Sequence, residues 1–213
     1  MIIEFFGLSK TGKTNFKNKI VSSEYLILNQ ESLSPFKKII LFSKYLIKRP
    51  INTFYIFYKL NTNNLSKKFK VIKMRNTYLI TVLAKYELIK NLQKKILLDE
   101  FFLQSLFMIF QKKSTKSEIK KILTSFPNSD FILLFERSKK ERYEIYEKPH
   151  TSFNNPTMYP GGWIDINYAK KWMEIMEHNY EIIKEIILEN YVESTLKDST
   201  LKIPKNVKVY SKK

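Results

Sequence analysis

Residues Gly7-Leu8-Ser9-Lys10-Thr11-Gly12-Lys13-Thr14 fit a glycine, four intervening residues, then Gly-Lys and Ser or Thr, the spacing of a phosphate-binding loop. Ile2, Ile3, Phe5 and Phe6 form an apolar run directly before it, and a glycine-free polar segment able to be helical follows. A strand feeding such a loop and then a helix is the context the motif requires. The chain holds only four glycines, and two of them stand at the motif positions.

Gly7 and Gly12 let the backbone turn so that successive N–H groups point inward, forming a nest for phosphate oxygens at the start of the next helix. Lys13 then reaches the β- and γ-phosphates, and the Thr14 hydroxyl is placed for a bridging Mg²⁺. The whole stretch, with Leu8, Ser9, Lys10 and Thr11 between the glycines, is expected to hold ATP. Ile96-Leu97-Leu98-Asp99-Glu100 reads as a buried strand ending in two carboxylates. A neighbouring strand that delivers an acid to the metal is the usual partner of such a loop, so Asp99 is expected in the Mg²⁺ shell. Glu100 is expected as a general base for an acceptor hydroxyl or for water.

With 213 residues the chain suits one α/β unit built around one core. Hydrophobic residues make up 44% and aromatics 15%, which places it in the globular regime. The net charge of +18 invites a nucleic-acid reading,. Only four of the 38 basic residues are arginines, however, and lysine, isoleucine and asparagine are abundant throughout, as an AT-rich genome produces. The absence of cysteine excludes disulfides, thiolate metal sites and a cysteine nucleophile,. Lys44, Lys48, Arg49 and Pro50 interrupt the most apolar region, Ile39 to Tyr58, so no membrane span is expected,. The expected location is cytoplasmic, with homodimerisation left open.

In chain order, Tyr25 to Leu28 read as a second strand. Residues 30–95 read as a helical insert, with Ser34-Pro35 opening its first helix, Phe36 to Ile47 recurring at helical spacing, and Arg49-Pro50 stopping it. A short helix with Phe54, Tyr55, Phe57 and Tyr58 comes next, then a long one with Leu65, Phe69, Ile72, Leu79, Leu83 and Tyr86 recurring at threes and fours on one face. These aromatic and aliphatic stripes read as core. Helices are expected from Phe101 to Phe110 and from Ser117 to Phe126, and a strand from Asp130 to Glu136. Arg137 and Arg142 follow this strand closely, where guanidinium forks clamp transferring phosphates. Residues 137–166 read as a lid containing Pro149, Pro156, Pro160 and Gly161-Gly162. Asn167 to Glu189 is an amphipathic helix, and Val207 and Val209 suggest a last edge strand.

In this order the chain resembles the P-loop small-molecule kinases, most of all the thymidylate kinase-like and nucleoside or nucleotide kinase group. The resemblance implies a three-layer α/β P-loop fold with a mainly parallel five-stranded sheet, the insert holding a small-molecule acceptor, and Arg75 binding that acceptor. It also implies phosphoryl transfer from MgATP, with Lys13, Glu100, Arg137 and Arg142 catalytic. Glu100 is a departure, because those kinases usually carry arginine after the strand-end acid. An Asp-Glu pair is also what P-loop ATPases use to activate water, which makes an ATPase the competing expectation. A nucleotide-gated RNA- or DNA-binding protein is a third.

Overall fold

The computed structural model describes residues 1–8, 11–20, 25–28, 33–63, 69–90, 92, 94–99, 101–126, 128–147, 166–196, 201 and 203–213. The strands are β1 (Ile2–Phe6), β2 (Tyr25–Leu28), β3 (Lys95–Leu98), β4 (Phe131–Phe135), β5 (Tyr191–Glu193) and β6 (Val207–Lys212). The helices are α1 (Lys13–Lys19), α2 (Pro35–Lys48), α3 (Pro50–Thr62), α4 (Phe69–Ile89), α5 (Phe102–Ile109), α6 (Lys116–Leu123), α7 (Lys139–Glu147) and α8 (Ile166–Asn190). The strands make one six-stranded sheet in the order β2-β3-β1-β4-β6-β5. The first four are mutually parallel, and β6 runs antiparallel to both β4 and β5.

The expected five-stranded, mainly parallel sheet is thus corrected to six strands with a mixed end. Val207 and Val209 lie on an inner strand, because the three-residue β5 covers the edge beyond them. So short a strand carries no readable period.

Apolar side chains on β1, β3 and β4 alternate between two cores, as strand geometry dictates. Ile3, Phe5, Leu97, Leu133 and Phe135 pack on one face with Phe16 of α1. Phe6, Ile96, Leu98, Ile132 and Leu134 pack on the other with Phe107 of α5 and Tyr180 of α8. Both faces are covered, which is why these short parallel strands read as continuous apolar runs. Among the described residues no helix is long and apolar enough to cross a membrane.

The insert departs from expectation in how its helices face. In α2 only Tyr45 is fully buried, whereas Phe36 is 76% and Ile47 78% exposed. In α3 Thr53, Ile56 and Leu60 point inward, leaving Ile51 82% and Phe54 67% exposed. Much of the stripe read as core therefore faces outward. The packing explains this, since α2 rests mainly on α4, and α3 on α2, α4 and α5, each burying one face.

Glu4, on the central strand, is fully buried. It accepts hydrogen bonds from the Leu103 amide at 2.6 Å and from Ser129 Oγ at 2.8 Å. It thereby fixes the start of α5 and the approach to β4 onto β1. Burial pushes its carboxyl up to about 7, against the lowering effect of the Leu103 and Ser129 bonds. A carboxyl raised on folding gives stability that is complete below its unfolded value of 4.5 and is lost as pH rises through 7,. The loss amounts to about 3 kcal/mol. Urea unfolding between about pH 5 and 8 is expected to show this fall in the wild type relative to Glu4→Gln; parallel profiles for the two proteins would contradict it.

Candidate functional site

β1 runs into Gly7, and the chain there passes so close to β4 that a Cβ on Gly7 would lie 2.5 Å from the Phe135 carbonyl oxygen. Only glycine fits such an approach. Gly12 has φ 104° and ψ 7°, a left-handed conformation that disfavours other residues, and it stands at the N-cap of α1 with no side chain capping the helix,. The first-turn N–H groups of α1 are thus left for something other than a capping side chain.

Lys13 folds back over the loop. Its buried ammonium donates to the carbonyls of Gly7 at 2.5 Å and Leu8 at 3.0 Å. Thr11 Oγ1 also donates to the Leu8 carbonyl, at 2.8 Å. Both side chains therefore brace the turn, while Thr14 lies exposed on the first turn of α1. Ser9 and Lys10 lie outside the described residues.

Asp99 follows β3, the strand paired with β1, and so lies beside the loop. Its carboxylate accepts from Lys17 Nζ at 2.6 Å. Lys17 is one helical turn beyond Lys13, so the two lysines share a face of α1. Glu100 lies outside the described residues, as does most of the lid expected over residues 137–166.

On the other side of β1, the end of β4 opens into a cleft of about 940 Å³ that also touches Leu8 and Thr11. Arg137 and Arg142 both line it. Arg142 is buried, and its guanidinium pairs with Glu177 of α8 at 3.0 Å. It also donates weakly from Nε to the Arg137 carbonyl at 3.4 Å. Lys139 reaches the same Glu177 at 3.0 Å. Nearby, Glu136 binds Lys184 and, at 3.2 Å, Lys208. Although burial pushes the Glu136 carboxyl up, those two lysines together hold it below its ordinary value. Asn206, just before β6, donates to the Thr11 and Glu136 carbonyls, each at 3.4 Å, tying the loop to the cleft wall.

Arg75 is the residue expected to bind the acceptor. It lies inside α4 with 1% exposure, and Nε donates to the Met108 carbonyl at 2.8 Å. Nη2 donates to Met108 as well, and to Ile109 at 3.4 Å. These are carbonyls of the last turn of α5, which a cation satisfies in both charge and hydrogen bonding. The geometry is that of a buried staple between two helices.

Sequence reading missed Lys17, Glu177 and Asn206. Lys17 was signalled by its four-residue spacing from Lys13, whereas Glu177 and Asn206 reach the site only through tertiary packing. No protein-family model matches the chain, nor does any curated protein or solved structure. The site therefore stands on its own residues.

Removing the staple leaves buried carbonyls unanswered and a void in the insert. Arg75→Leu is expected to lower the unfolding free energy by about 2–4 kcal/mol. A denaturant curve superimposable on the wild type would contradict that role.

Proposed function

We propose that the chain is a P-loop phosphotransferase of the thymidylate kinase-like type, passing the γ-phosphoryl group of MgATP to a small-molecule acceptor. One observation carries this reading: the Gly7 to Thr14 motif sits at the end of the central parallel strand, with Asp99 at the end of the strand beside it. Ligands of open α/β sheets bind in the crevice at the carboxyl ends of such strands.

The residues present suit the nucleotide. An uncapped first turn, a left-handed Gly12 and an ammonium already solvated by loop carbonyls make a cradle for anionic oxygens,. Among the described residues there is no group of three or more His, Cys, Asp or Glu able to hold a metal by themselves. Mg²⁺ is commonly held by one or two protein groups together with substrate phosphates. MgATP supplies the transferable phosphoryl group and the metal charge. Thr14 and Asp99 would hold the ion, and Lys17 would keep the Asp99 carboxylate aimed along α1.

The chain's own work is positional and electrostatic. Lys13 exchanges the Gly7 and Leu8 carbonyls for phosphate oxygens, so its charge is delivered without desolvation at the moment of transfer. Arg137 and Arg142 flank the cleft that takes the rest of the substrates, and Glu177 holds the Arg142 fork in place. Glu100 accepts the acceptor's proton as the new phosphate–oxygen bond forms and ADP departs.

Lys13→Ala is expected to keep the fold and lower acceptor-dependent ADP release from MgATP by at least about a hundredfold. Screening nucleosides, nucleoside monophosphates and sugars should find an acceptor that raises ADP release sharply over MgATP alone. Vigorous release independent of any acceptor would replace the kinase reading with an ATPase using Asp99 and Glu100. Near-normal turnover in Lys13→Ala would refute both.

A further inference from the structure

We propose that the outer face of α2 and α3 is a docking surface for an anionic lipid bilayer. Seven large apolar side chains on these two helices are exposed, from Ile40 at 41% to Ile51 at 82%. The exposed side chains run from Phe36 to Tyr58 along the two helices. Phe36, Ile40 and Ile47 recur at four and seven residues along α2, and Ile51, Phe54 and Tyr58 at three and four along α3,. The helices join at Arg49-Pro50 and pack through an edge-on contact between Phe42 and Phe57.

Charge selects the occupant. Between Ser32 and Tyr86 the sequence holds twelve lysines and arginines and no aspartate or glutamate; of the twelve, Arg75 and Lys85 are buried and Lys59 pairs with Glu118 of α6. Lys37 and Lys44 are exposed and flank the apolar stripe of α2 on one side. Lys48 lies beyond them and is paired with Glu87 at 3.4 Å. Lys85 of α4, beneath, is pushed down to about 8 by burial and by the charge of Lys38. An apolar stripe bordered by lysines is what an interfacial helix presents to acyl chains and anionic headgroups.

The other occupants fit less well. A second copy across a two-fold axis would set each cationic patch against itself. RNA would use stacking aromatics and arginine forks, whereas four of the seven exposed apolar residues are isoleucines. A partner helix needs a groove, and the cleft at the end of β4 is not lined by α2 or α3.

Pelleting of the full chain with vesicles tests this. In about 0.1 M salt, phosphatidylcholine vesicles with about one-third phosphatidylglycerol are expected to bind at least about tenfold more strongly than pure phosphatidylcholine. Ile47→Ser with Phe54→Ser, and separately Lys37→Glu with Lys44→Glu, should each weaken that binding about tenfold, leaving thermal unfolding at the wild-type temperature. Failure to pellet with phosphatidylglycerol vesicles overturns the proposal, as does pelleting that neither double variant weakens. A dimer dissolved by the serine variant, or RNA binding, in a chain that ignores vesicles, gives the face to those partners instead.

Discussion

The close approach of Gly7 to the Phe135 carbonyl is the constraint on which the rest depends. It presses the end of β1 against the end of β4, so the chain must leave the sheet through a tight turn at the strand's tip. That turn is braced from within by Lys13 and Thr11, and from outside by Asn206. With β3 on the other side, the turn lies between Asp99 and the arginine-lined cleft. A side chain at Gly7 would force two central strands apart and move every one of these groups.

Buried polar groups carry a second layer of specification. Glu4 and Arg75 are both fully inside, and each is answered by groups from α5: the Leu103 amide at its start and the Met108 and Ile109 carbonyls at its end. Burying charge is costly unless such partners are supplied. This short helix is therefore fixed at both ends, to the central strand by one residue and to the insert by the other. The central strand β1 and the insert are joined through it.

How much of this the sequence reveals varies with how local the determinant is. The loop, the strands around it and the amphipathic α8 are set by short-range pattern, and their observed bounds fall within a residue or two of what periodicity implies. The cap by Ser34 and the stop at Arg49-Pro50 are equally local. What periodicity does not distinguish is which way an apolar stripe faces. Phe36, Ile40 and Ile47 have core-like spacing yet are exposed, because α2 meets α4 through Tyr45 instead. The place of Arg75 in chain order does not reveal its helix partners, because helix packing sets them. The antiparallel β5 and β6 reflect a three-residue strand too short to carry a signal. The charge, read over the whole chain, looks uniform; that the acid-free stretch from Ser32 to Tyr86 carries exposed apolar side chains emerges only from how α2 and α3 are buried.

The central claim is that the Gly7 to Thr14 loop binds a nucleoside triphosphate through Lys13, with Mg²⁺ held by Thr14 and Asp99. Calorimetric titration with an ATP analogue whose β–γ bridge cannot be cleaved addresses it without reference to any acceptor. The account predicts saturable one-to-one binding that weakens at least about tenfold when Mg²⁺ is withheld or when Asp99→Asn is introduced. Absence of saturable binding at about 1 mM analogue with Mg²⁺ present would contradict it.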